Sequence, residues 1–164
     1  MMTWRRAAIS VVTMLAAVAV APAAASAGGA TQITGLGLPG PGDCDAGSDG
    51  VPAPDYILVM TGDLDGCLYG YVDPDSVQER PSGTYLDRGT EVFVSGDNKA
   101  DRFSTTYVFT AQFTDEGQQF GRCQHPIVSG EGAYAGATGR LDFKDNIVDG
   151  VAVDFSYRGH IKAG

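Results

Sequence analysis

Apolar and polar residues alternate with a period of two along two long stretches of the chain, the pattern of a β-strand with one buried and one wet face. Over Arg102–Thr114, the residues Phe103, Thr105, Tyr107, Phe109, Ala111 and Phe113 share one face, and Ser104, Thr106, Val108, Thr110 and Gln112 share the other. Over Val151–Lys162, the residues Val151, Val153, Phe155, Tyr157, Gly159 and Ile161 alternate with Ala152, Asp154, Ser156, Arg158, His160 and Lys162. Shorter strand-like runs cover residues 56–61, 64–72, 118–128 and 140–144. Turn residues separate them at Gly62-Asp63, Asp73-Pro74-Asp75, Gly96-Asp97-Asn98-Lys99, Asp115-Glu116-Gly117 and Asp145-Asn146. Residues 84–86 and 91–95 flank Asp87-Arg88-Gly89, which predicts a strand pair or one bulged strand. No amphipathic helix is evident after residue 27. Seven or eight antiparallel strands with short turns predict an all-β fold, a closed antiparallel β-barrel rather than an open sheet, because closure removes exposed edges. A two-sheet β-sandwich is the alternative.

Between residues 118–128 and 140–144 lies Gly130-Glu131-Gly132-Ala133-Tyr134-Ala135-Gly136-Ala137-Thr138-Gly139. Four glycines at such close spacing mark places where the backbone bends or is approached closely, so this is a corner, with Tyr134 a candidate to close one end of the barrel.

The first residues carry Arg5-Arg6, an Ala/Val-rich run over residues 7–21, Pro22 and the small residues Ala25-Ser26-Ala27. That order predicts a secretory signal peptide over residues 1–27, cleaved after Ala27, and the arginine pair also admits twin-arginine export. Residues 28–54, rich in Gly, Pro and Asp, show neither period and predict a flexible arm, with the barrel domain over residues 55–164. The 164-residue chain carries a formal charge of −9. Loss of two arginines on cleavage makes it −11, which opposes binding to nucleic acid or an anionic membrane. An exported chain meets an oxidising compartment. Of the three cysteines, Cys67 and Cys123 lie in strand-like runs and are expected to form the disulfide, leaving Cys44 free, paired between molecules or modified.

The glycine corner followed by Leu141-x-Phe143 resembles the glycine-rich stretch of the allene oxide cyclase barrel-like proteins, and dirigent proteins share a similar corner. Phe120-Gly121-Arg122-Cys123-Gln124-His125-Pro126-Ile127 and Tyr157-Arg158-Gly159-His160-Ile161 look like the secreted bacterial branch of that group. The resemblance spans residues 55–162. It implies an eight-stranded barrel with a mostly apolar cavity open at one end, in which members of the group steer cyclisation or coupling by shape. No catalytic carboxylate or water-holding residue of the plant enzymes matches a position here.

Glu91 and Tyr157 are the candidate catalytic residues. If Phe93 points inward, Glu91 does too, and a carboxylate inside a barrel can serve as an acid or base; the outward register is equally open. Tyr107, Phe109, Phe113, Phe143, Phe155 and Tyr157 either line a ligand cavity or simply fill the barrel. Cys123, His125 and His160 could form a three-ligand metal site, but the expected disulfide would consume Cys123 and leave two surface histidines, so no metal and no cofactor are expected. Asp63-x-Asp65-Gly66 and Asp43-x-Asp45 with Asp49-Gly50 lack the terminal acid of a calcium loop and are read as turns. Neither a G-x-S-x-G elbow nor a P-loop is present. Three functions remain: an exported barrel, monomer or homodimer, binding a small hydrophobic molecule; a cofactor-free isomerase or cyclase; and a cell-surface interaction protein with a filled barrel.

Overall fold

The structure is a computed structural model and describes residues 29–164. The signal-peptide expectation therefore lies outside the described residues. The strands are β1 (Thr31–Pro39), β2 (Tyr56–Gly62), β3 (Gly66–Val72), β4 (Gln78–Glu79), β5 (Thr84–Ser95), β6 (Arg102–Thr114), β7 (Gly117–Glu131), β8 (Thr138–Val148) and β9 (Val151–Lys162). Eight of them close an antiparallel ring in the order β1-β2-β3-β5-β6-β7-β8-β9, joined by β9 to β1 and by β3 to β5. The short β4 pairs with β5 outside the ring. The protein is thus an all-β barrel, not a sandwich. No helix among the described residues is long and apolar enough to cross a membrane.

An eight-stranded ring encloses a space that side chains can fill or one small ligand can occupy. Here one end is filled. Phe93 and Phe103 stack with ring centroids 4.9 Å apart, and Tyr134 sets its edge against both at 6.0 and 5.1 Å. Ile33, Met60, Leu64, Leu68 and Leu141 complete this plug. The glycine-rich corner delivers Tyr134: β7 ends at Glu131, the 3-10 turn Gly132–Tyr134 follows, and the chain enters β8 at Thr138.

Residues 29–54, the described part of the expected flexible arm, are ordered into a strand and turns. β1 closes the ring between β2 and β9, so the domain begins at Thr31 and not near Asp55. Its inward positions are Ile33, Gly35 and Gly37. A Cβ on Gly35 would lie 2.4 Å from the Tyr157 hydroxyl and 2.0 Å from the Thr61 carbonyl oxygen. Glycine is needed there to seat Tyr157, and it also erases the apolar alternation that would have revealed the strand. Residues 40–54 form successive turns, with Cys44, Asp49 and Val51 N–H donating to the carbonyls of Pro41, Asp45 and Ala46. Likewise, β5 runs unbroken through Asp87-Arg88-Gly89, where a strand break or bulge was expected, because its inward positions there are polar or glycine.

The disulfide joins Cys44 to Cys67, and Cys123 is the free, buried thiol. The expected Cys67–Cys123 pair fails on parity. Leu68 faces the barrel interior, so Cys67 faces outward, between Val59 and Val94, whereas Cys123 points inward from β7. The bond instead staples the 40–54 segment to the outer face of β3, beside Tyr69 and Val94.

A peptide map without reductant should recover Cys44 linked to Cys67, and a Cys67–Cys123 peptide would overturn the assignment. Replacing both bonded cysteines by serine opens a loop with a sequence separation of 23 and should cost about 3 kcal/mol in urea unfolding.

Candidate functional site

Opposite the Tyr134 plug the barrel is open, with a cavity of about 470 Å³. Its walls are largely aromatic: Tyr56 from β2, Tyr107 and Phe109 from β6, Phe143 from β8 and Phe155 from β9. Ile57, Val72, Phe109 and Phe155 are half-buried and rim the mouth. Set among these walls are five groups with chemistry, Asp87, Glu91, Cys123, His125 and Asp145.

Glu91 takes the inward register and is buried. Its Oε1 accepts a hydrogen bond from the Tyr56 hydroxyl at 2.7 Å, and its Oε2 accepts one from the Thr105 hydroxyl at 2.7 Å and faces His125 Nδ1 at 2.5 Å. The strand registers make this possible. Thr105 sits directly opposite Glu91 on β6, while Gly70 opposite Tyr56 on β3 lets the tyrosine ring lie across the wall, since a Cβ there would come within 2.0 Å of the ring. Burial works against the Glu91 charge, but the facing His125 and the hydrogen bonds from His125, Tyr56 and Thr105 outweigh it and hold the carboxyl below its ordinary value. Burial, then the Glu91 charge, pushes the Tyr56 hydroxyl far up, so it stays a donor.

With Nδ1 committed to Glu91, His125 has its Nε2 without a partner. Three other buried side-chain atoms make no hydrogen bond among the described residues: Asp145 Oδ1, and the Tyr107 hydroxyl and Asp87 Oδ1, whose side chains are near neighbours. All four belong to residues lining this one cavity. A buried polar atom left unpaired costs about 1–3 kcal/mol, so their concentration in one chamber is a distinctive feature. Each aspartate has its other oxygen anchored, Asp87 by the Tyr85 hydroxyl at 2.8 Å and Asp145 by the Gln118 amide. Burial raises both carboxyls above their ordinary value. The Tyr85 hydroxyl is pushed up to about 12 by burial and its bond to Asp87. Burial, reinforced by the charges of Glu91, Asp87 and Asp145, drives the Cys123 thiol up, which leaves it a poor nucleophile.

Of the expected cavity residues, Tyr107, Phe109, Phe143 and Phe155 do line it. Phe113 does not: it lies beyond Phe109 near the end of β6, set edge-on against Tyr85 with ring centroids 6.3 Å apart, and is 40% exposed. Tyr157 does not either. It is buried toward the plug, its hydroxyl accepting from Leu64 N–H at 2.9 Å and donating to the Thr61 carbonyl at 3.1 Å, so it cannot polarise a molecule in the cavity. His125 is buried, where a surface position was expected, while His160 lies on the outer face of β9, so Cys123, His125 and His160 do not converge. Sequence reasoning missed Tyr56, Asp87 and Asp145 as site residues and weighed His125 only as a metal ligand. The spacing signal was present, since Asp87 and Glu91 share a face of β5 and Cys123 and His125 share one of β7. The aspartates of the two calcium-like segments serve turns and surface contacts: Asp63 accepts from Thr34, Asp45 caps Gly47 and Ser48, and Asp49 ties Tyr69 to Lys99.

A second depression of about 520 Å³ lies outside, over β7, β8 and β9, between Arg122, Arg140, Lys144 and Arg158. Those side chains are exposed, and none of the unpartnered buried atoms lies there. The interior chamber is the better candidate.

Breaking the Glu91–His125 pair from one side strands a buried charge. His125→Phe should cost about 3–5 kcal/mol in urea unfolding at neutral pH, and adding Glu91→Gln to that variant should recover part of the loss. Because the folded-state carboxyl of Glu91 lies below its unfolded value of 4.5, its stabilisation is present above that value and lost as pH falls through the folded one. The wild type should therefore lose stability in acid more steeply than the double variant. Comparison with protein-family models, with curated proteins and with solved structures returned no match to this chain, so the function rests on the geometry of the cavity itself.

Proposed function

We propose that the protein is an exported barrel of the allene oxide cyclase-like kind that binds one small, mostly apolar molecule in the open end of its ring. The observation that carries this reading is the coincidence of an open aromatic cavity with every unpartnered buried polar side-chain atom among the described residues. Ligand sites combine a concave, mostly apolar wall of about 300–1,000 Å³ with a few convergent polar groups. The closed eight-stranded ring and the one-sided opening agree with what the family resemblance implies. The N-terminal signal pattern and the Cys44–Cys67 bond support export. A filled barrel acting through its outer face has less support, because the interior holds an open cavity of about 470 Å³.

A second reading is favoured by His125. An imidazole whose Nδ1 is held by a carboxylate and whose Nε2 is unpartnered has the orientation of a general acid–base group. In a cofactor-free isomerase or cyclase it would take a proton from one atom of the bound molecule and return it to another, with the cavity wall fixing the conformer.

The neutral dye N-phenyl-1-naphthylamine should bind with a rise in fluorescence, and native mass spectrometry of protein from culture supernatant should show a co-purified small mass. Val72→Trp at the mouth should weaken dye binding at least about tenfold while leaving the unfolding midpoint nearly unchanged. Absence of both dye binding and a co-purified mass, or equal binding by the variant, would remove the ligand reading. Once a ligand is in hand, an unchanged product distribution with Glu91→Gln would leave binding and remove catalysis.

A further inference from the structure

We propose that the molecule held in this cavity is an organic cation, an apolar body bearing a protonated amine seated against Asp87 and Asp145; this rests on the cavity being a binding site. The charge inventory of the chamber leads there. Three carboxyl groups line it and one imidazole, with no lysine or arginine. Glu91 is fully engaged by Tyr56, Thr105 and His125, so the one imidazole of the chamber is turned to Glu91.

Asp87 and Asp145 stand differently. Neither forms an ion pair among the described residues. Each has one oxygen fixed by a neutral donor, Tyr85 or Gln118, and the other bare. The neutral donors hold the carboxyls in place without supplying a countercharge. A buried carboxylate without a counterion is expensive, and a ligand ammonium would provide both the charge and three N–H donors for the bare oxygens and the Tyr107 hydroxyl. The wall has matching chemistry: Tyr56, Tyr107, Phe109, Phe143 and Phe155 present aromatic rings, whose faces attract a cation. A carboxylate or phosphate ligand finds no lysine or arginine in the lining. A neutral alcohol can satisfy a bare atom but leaves the charge uncompensated. The formal charge of −9 also draws cations toward the mouth.

Calorimetric titration with a matched series tests this: phenylbutylamine, phenylbutanol and phenylbutanoate, with N-phenyl-1-naphthylamine as the charge-free control. The amine should bind at least about tenfold more tightly than the alcohol, and the carboxylate most weakly. Asp87→Asn and Asp145→Asn should each lower amine affinity about tenfold, leave dye and alcohol binding nearly unchanged, and raise the melting temperature of the unliganded protein, since each removes an uncompensated buried charge. If the dye binds but the alcohol or carboxylate is preferred, or the asparagine variants keep the amine preference, the cation inference is overturned and the cavity reading stands. If neither the dye nor any member of the series binds, the cavity reading fails as well.

Discussion

Closure of the ring is the constraint on which the rest of the structure depends. β2 and β9 would each present an unpaired edge if β1 did not lie between them, hydrogen-bonded to both. That position demands little of β1 as a hydrophobic element and much of it as backbone. Its inward glycine at 35 yields space to Tyr157, whose hydroxyl then ties β9 to the β2–β3 turn through Leu64 and Thr61. The segment that follows β1 is in turn fastened to β3 by the Cys44–Cys67 bond. A chain stretch that looks like a linker by composition is therefore what makes the barrel a barrel.

Once the ring is closed its interior cross-section is fixed, and successive inward residues divide the axis into layers. Reading from the plug toward the mouth, β5 presents Phe93, Glu91, Gly89 and Asp87; β6 presents Phe103, Thr105, Tyr107 and Phe109; β7 presents Ile127, His125 and Cys123. The first layer is apolar and closed by Tyr134. The next is the hydrogen-bonded set of Glu91, Thr105 and His125, one strand step of about 7 Å further along. This polar layer is the floor of the cavity, and the stacked aromatics beneath it exclude water from its far side. The low-dielectric surroundings that make an unpaired charge expensive there also strengthen the Glu91–His125 contact.

The face of a strand is written in a period-two pattern, and depth along the barrel is not. That difference explains what was legible. The long alternations of β6 and β9 placed Tyr107, Phe109 and Phe155 on the inner wall, and the same parity makes Glu91 inward once Phe93 is inward. It could not separate Phe155, which reaches the cavity, from Tyr157, two residues deeper and committed to the core. Nor could it separate Phe109, which lines the cavity, from Phe113, which lies beyond it and is exposed. Where inward positions are glycine or polar the pattern itself disappears, as in β1 with Gly35 and Gly37 and in β5 with Asp87 and Gly89. The disulfide error is of another kind. Cys67 next to inward Leu68 had to face out, while Cys123 and His125 share the inner face of β7, so strand parity, had it been applied, would have kept Cys67 and Cys123 apart.

The four unpartnered atoms are hard to regard as a by-product of folding. Small domains are stable by only about 5–15 kcal/mol in total, and each buried orphan costs about 1–3 kcal/mol. Even with the neighbouring Tyr107 and Asp87 counted as one pair, the atoms in this chamber consume a substantial share of that margin. The same interior satisfies its other buried polar groups carefully: Glu91 has three partners, Tyr157 has two, and each aspartate has one oxygen bonded. Apolar residues of similar size at positions 87 and 145 would remove the penalty without disturbing the ring. A stability cost confined to the open half of the barrel, beside a plug with none of it, is the signature of groups kept ready for something that enters from outside.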